Sequence, residues 1–223
     1  MNAASLDKIL QNLSHRRPVF HSEADFQHEL AIEIQSAGWD VRLAVPRPIA
    51  VNRARMTAEI DLLIRKNGQW TAIELKYVKE STHVVHGDEQ FDLAGSWQTN
   101  LSRFDCWADY RRIESIVAAG HAQQGHAVFL TNVAPAWNKD VGPTRNLASM
   151  FSLHEGRAVL AGSSLNWTPA TPTAGSVSAK RLPPYAPVLV SRAQACSWTN
   201  YSQLRQPGGT FRYLMLSTSG AVQ

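Results

Sequence analysis

Two stretches of alternating apolar and polar residues, 58–65 and 70–78, stand on either side of Lys66-Asn67-Gly68-Gln69. Asn-Gly between alternating strands favours a two-residue hairpin, because both central positions of the tight turn need positive φ. Such a hairpin fixes a register. With Asn67 and Gly68 in the loop, Lys66 faces Gln69, Asp61 is expected opposite Glu74, and Glu59 opposite Lys76. Side chains alternate with period two, so these last four residues are expected on one face. Ile60, Leu62 and Ile64, with Ile73, Leu75 and Tyr77, are expected on the other.

Directly opposed residues bring their Cβ atoms to roughly 4.5–5.5 Å, where two carboxylates repel. Three arrangements would relieve that repulsion. A divalent cation bridges the pair, the two carboxyls share a proton with one pKa raised, or Lys76 and neighbouring arginines neutralise them as an ion network. Magnesium suits the first, since it takes one or two carboxylates, keeps several waters and contacts phosphate. Lys76 points to the same site. There it would orient a water or stabilise charge developing on a phosphate.

The flanking segments supply helices. Ser22 can cap a helix over residues 23–37, with Phe26, Leu30, Ile34 and Ala37 at helical spacing and Gly38 at its end. Residues 39–45 read as a strand, 97–119 as a helix with Cys106, Tyr110, Ile113 and Val117 on one face, and 127–131 as a buried strand. The expected fold class is α/β, with element order α-β-β-β-α-β. Residues 1–162 form the core. Residues 163–187, rich in Ser, Thr and Pro, form a loop or linker. Residues 188–223 form a basic, β-rich C-terminal extension packed on the core.

Asp61, twelve intervening residues, then Glu74-Leu75-Lys76 resembles the PD-(D/E)XK nuclease motif, and the element order resembles the restriction-endonuclease-like core. Ile60 stands where the motif has its proline. The resemblance covers roughly residues 20–132. It implies magnesium-dependent hydrolysis of phosphodiester bonds, with manganese as a substitute ion and DNA as substrate, RNA remaining open. It implies Asp61 and Glu74 as metal ligands and Lys76 as the catalytic lysine. It also implies a glutamate from the first helix. Glu23 is the choice, because it shares a face with Phe26, Gln27, Leu30 and Ile34, while Glu29 and Glu33 are alternatives. The wording of residues 22–28 and 153–157 also resembles a group of uncharacterised bacterial proteins.

Charge divides the chain. Residues 1–132 hold 14 Lys and Arg against 16 Asp and Glu, whereas residues 133–223 hold 8 against only Asp140 and Glu155. An acidic front and a basic back suit a polyanion held near a carboxylate site. On the second helix Arg103, Arg111 and Arg112 accompany Trp107 and Tyr110, a basic and aromatic mixture suited to nucleic acid. Arg145, Arg157, Lys180, Arg181, Arg192, Arg205 and Arg212 are further candidates for gripping phosphate.

Other signals are thinner. His83 and His86 are spaced as a metal pair without an evident third ligand, in a loop-like segment. Asp88, Glu89, Gln90 and Asp92 would line a cleft, and Gln98 would contact substrate. Cys106 and Cys196 read as buried apolar residues, not a disulfide. No Gly-rich phosphate loop and no Gly-x-Ser-x-Gly elbow is present. No apolar run approaches the ~18 residues that span a bilayer, and the first residues lack signal-peptide order, so a cytoplasmic protein away from membranes is expected. Oligomeric state stays open, a homodimer included. A non-catalytic nucleic-acid-binding module and a defence-system interaction protein that keep the fold remain the alternatives to an enzyme.

Overall fold

A computed structural model describes residues 1–51, 54–139, 148–167 and 187–220. Two helices come first. In α1 (Ala3–Arg16) the Asn2 side chain accepts the Ser5 N–H, and Leu6, Ile9, Leu10 and Leu13 face inward. In α2 (Glu23–Ser36) the Ser22 side chain accepts the Asp25 N–H, and Phe26, Leu30 and Ile34 are buried. Gly38 leaves this helix at φ +80, a conformation that costs glycine little.

Strands β1 (Asp40–Val51), β2 (Ala54–Lys66) and β3 (Gln69–Val78) follow, then a small hairpin of β4 (Thr82–His86) and β5 (Glu89–Leu93). Helix α3 (Thr99–Ala118) crosses to β6 (Gln124–Thr131), followed by a single turn, α4 (Ala134–Trp137). Short strands β7 (Ala158–Val159), β8 (Ser164–Leu165), β9 (Val188–Leu189) and β10 (Gln194–Ala195) precede β11 (Trp198–Gln203) and β12 (Thr210–Ser219).

The result is a mixed α/β fold around a six-stranded sheet in the order β1-β2-β3-β6-β12-β11. Among the described residues only the β3–β6 pair is parallel, and α3 makes its crossover. On one face, Leu62, Ile64, Ile73, Leu75 and Tyr77 pack with α1 and α2. On the other, α3 covers Ala72, Ala127 and Phe129. Gly125 lets α3 come close, because a Cβ there would collide with Ile113 Cγ2 and crowd Val117.

The C-terminal segment is more than an appendage. β11 and β12 complete the central sheet, and Phe211 and Tyr213 share the core of α1 and α2. The loop expected over residues 163–187 begins with β8, paired to β9, and a buried Trp167. Residues 168–186 lie outside the described residues. Among the described residues, no helix is long and apolar enough to cross a membrane.

The Asn67-Gly68 turn forms as expected, with φ of 52 and 75. The register holds from Lys66↔Gln69 to Leu62↔Ile73 and ends there. Asp61 and Glu74 are therefore not a ladder pair, and Glu59 is not opposite Lys76 but opposite Pro46 of β1. The cause is a change of face. Ala44 adopts φ +51, the ladder skips Ala44 and Asp61, and pairing resumes at Val45↔Ile60. Beyond this point Ile60 packs with Leu63 under α3, not with Leu62. Val41 and Val45, which a regular strand would place on one face, likewise divide between the two.

Candidate active site

Where β2 leaves β3, two β3 backbone donors lose their strand partner. A buried N–H needs an acceptor. Asp61 Oδ2 accepts the Leu75 N–H at 2.7 Å, and Glu23 Oε2 accepts the Tyr77 N–H at 2.7 Å. Gln27 Nε2 donates to the Asp61 carbonyl at 2.7 Å, tying α2 to the same point. Glu23 sits in the first turn of α2, where the helix dipole favours a negative charge.

Glu74 and Lys76 point from β3 toward α3. Lys76 Nζ lies 3.7 Å from Glu23 Oε1 and 3.8 Å from Asp109 Oδ2. Arg112 grips Glu74 with a two-pronged contact, Nε to Oε1 at 3.1 Å and Nη2 to Oε2 at 2.6 Å. Arg112 Nη2 also donates to Asp109 Oδ1 at 2.9 Å. Glu23 and Lys76 keep 43% and 29% of their side-chain surface open, while Glu74 keeps 1%. The cluster is thus open to solvent at the Glu23 end and closed over Glu74, with no room for a water molecule between Glu74, Lys76, Cys106 and Asp109.

Burial and crowding set the protonation. Burial pushes the Glu74 carboxyl well above its ordinary range, against the pull of Arg112. Burial also raises Asp61, opposed by the Leu75 N–H and by a hydrogen bond with Glu74. Glu23 is raised by burial and held back by Lys76. Lys76 is itself raised, first by the charge of Asp109. Carboxylates outnumber cations here among the described residues: Glu23, Asp61, Glu74 and Asp109 face Lys76 and Arg112.

The donor set consists of hard oxygens, the type that magnesium prefers. Asp109 Oδ2 is buried without a hydrogen-bond partner and has the Lys76 ammonium, at 3.8 Å, as its ion-pair neighbour. A divalent cation here would draw on Asp61, Glu74 and Glu23, with Asp109 beside them. Among the described residues, no three His, Cys, Asp or Glu side chains stand close enough to hold a metal ion as they are. A cation taking one or two carboxylates and several waters needs no such trio.

The remaining sequence candidates divide. Glu29 and Glu33 pair with Arg16, away from the cleft. Arg103 is fully buried and donates to the Pro135 carbonyl at 3.1 Å, so it presents nothing to a polymer. Arg111 lies 3.4 Å from Glu114, and Arg112 belongs to the carboxylate cluster itself. Arg192 and Arg205 are exposed, Arg157 donates to the Ser152 and Met150 carbonyls, and Arg212 pairs with Glu155. Arg145, Lys180 and Arg181 lie outside the described residues.

His83 and His86 are on a strand, not a loop, and at odd spacing they face opposite ways. His83 bonds its cross-strand neighbour Asp92 at 2.6 Å. Glu89 pairs with Arg17 and His21, while Asp88, Gln90 and Gln98 are exposed. Cys106 and Cys196 are buried free thiols. Asp109 was not among the sequence candidates. Its signal is the helical spacing of Asp109 and Arg112 on the face of α3 that packs over β3.

No family model matches the chain, and no curated protein matches it. A solved structure titled "Crystal structure of SSO0001" aligns at 16% identity with a TM-score of 0.22. The alignment covers 57% of this chain and 54% of that one, so the chain spans about half the length of that neighbour. A likeness at that score carries no argument about fold or function.

Proposed function

We propose that the chain is a magnesium-dependent nuclease of the PD-(D/E)XK type that cuts DNA. The supporting observation is the convergence of Asp61 and Glu23 on neighbouring N–H groups of β3, with Glu74 and Lys76 between and beside them. In this reading α2, β1, β2, β3, α3 and β6 correspond to the restriction-endonuclease-like core.

Asp61 and Glu74 would hold the metal ion, and Glu23 would complete the site. Magnesium, when bound, supplies positive charge that activates water and offsets charge on the phosphate. Lys76 orients the attacking water and stabilises the charge developing on the scissile phosphate. Asp61 and Glu23 are held in place by the backbone of β3, so little reorganisation is needed. The cleft is open on the Glu23 side, which suits a polymer lying across the surface. Exposed Arg192 and Arg205 would contribute phosphate contacts without reading bases. The cytoplasm, where nucleic acid and magnesium meet, is the proposed location.

Purified protein should nick plasmid DNA with magnesium and not with EDTA, and Asp61→Ala should abolish nicking. An Asp61→Ala protein that cuts as well as its parent overturns the reading. RNA supplied in parallel identifies the preferred polymer.

A second reading has an observation of its own. Arg112 already neutralises Glu74 without a metal, which suits a non-catalytic nucleic-acid-binding or interaction protein. That reading predicts salt-sensitive DNA binding without magnesium-dependent cleavage.

A further inference from the structure

Glu74 is 1% exposed, and a carboxylate so placed needs a counter-charge. Arg112 supplies it through both prongs of its guanidinium. Yet Arg112 is not sealed in. Its side chain is 25% exposed, and its second anchor, Asp109, lies one helical turn back on the same helix. The guanidinium can therefore leave Glu74 while Asp109 keeps it beside the cleft.

We infer that Arg112 is the resident counter-ion of Glu74, exchanged for a divalent cation on metal binding and then turned to a phosphodiester oxygen of the substrate. This inference rests on the nuclease reading and adds a residue and a sequence of events to it. Arg112 occupies both oxygens of Glu74, so a metal ion that binds this buried carboxylate must displace at least one prong and is repelled by the guanidinium that remains. The planar five-donor fork that fits a carboxylate also fits a phosphate. Asp109 Oδ1 acts as the tether, and its buried Oδ2 faces Lys76. The resting cleft is thus partly self-neutralised. Metal ion and phosphate together replace the internal pair.

The test titrates Mn²⁺ by calorimetry into DNA-free parent and Arg112→Gln. Removing the internal competitor should tighten Mn²⁺ binding by on the order of tenfold. The Mn²⁺-induced rise in melting temperature should also be larger for Arg112→Gln than for the parent. Arg112→Gln should bind a phosphodiester oligonucleotide less tightly in the presence of Ca²⁺.

Should that variant fail to fold, the parent alone suffices. The ¹⁵N-labelled Arg112 Nε–H resonance should shift on adding Mg²⁺. A parent that binds the metal ion with this resonance unmoved, or an Arg112→Gln protein with unchanged Mn²⁺ affinity, overturns the exchange and leaves the nuclease reading standing. A parent that binds no divalent ion and cuts nothing overturns both.

Discussion

Asp61 Oδ2 lies 2.7 Å from the Leu75 N–H, in the place that a carbonyl of β2 would take if the ladder ran one step further. Glu23 does the same for Tyr77, two residues along. Two of the three proposed metal ligands are therefore also the edge partners of β3.

This dual role separates two substitutions. Asp61→Ala leaves the Leu75 N–H without its acceptor, at a cost of about 1–2 kcal/mol. Asp61→Asn keeps an oxygen for that N–H and should unfold close to the parent. Both should lose cleavage. Urea denaturation ranks the three proteins. An Ala variant as stable as the parent would show that the N–H finds another acceptor.

The raised carboxyls of Glu74, Asp61 and Glu23 set one pH dependence. The folded state holds their protons more tightly than the unfolded chain does. Their contribution is therefore full below the ordinary carboxylate pKa and is lost as pH rises through the raised values. Denaturation midpoints in EDTA should carry a falling component from acid toward neutral pH, and Glu74→Gln should flatten it. Adding Mg²⁺ at neutral pH should restore stability in the parent. An unchanged slope in Glu74→Gln would count against this origin.

His126 works in the opposite direction. Its Nδ1 meets the Ser217 hydroxyl at 2.8 Å and its Nε2 the Met1 carbonyl at 2.9 Å, and burial lowers its pKa to about 4. A depressed histidine contributes stability above its unfolded pKa near 6.5, and that contribution is lost as pH falls toward the folded value. The loss should be on the order of 3 kcal/mol between those limits. His126→Gln should remove this acid sensitivity, and a variant with the parent's acid limb would refute the assignment.

Gly125 sets how closely α3 approaches the sheet. Gly125→Ala should push Ile113 and Val117 outward and destabilise by about 1–3 kcal/mol. Arg112 adjoins Ile113 on α3, so its contact with Glu74 should loosen as well. A lowered melting temperature together with a shifted Arg112 Nε–H resonance is the expected outcome. A stable variant with that resonance unmoved would mean that the helix tolerates the methyl.

The sequence carries much of this arrangement openly. Asn67-Gly68 announces the turn and the pairing up to Leu62↔Ile73, and Ser22 announces the start of α2. The stripe of Leu6, Ile9, Leu10 and Leu13 marks α1 as well, a helix that the expected element order leaves out. The change of face at Ala44 and Asp61 is not legible. Alanine does not mark a left-handed turn, and the apolar residues on both sides of the change stay apolar. Arg103 reads as a surface charge because burial of a guanidinium depends on tertiary contacts. Arg112 is visible as a cation, but its target on β3 is set only when α3 packs across the sheet.

The strand break at Asp61 has a consequence for descent. Under the proposed nuclease function, a copy of this chain that lost its activity would still need an oxygen at positions 61 and 23 to close the edge of β3. Folding alone would then retain acids or amides there, long after any chemistry had gone. The surviving record of lost activity would be found at Lys76, whose ammonium closes no strand.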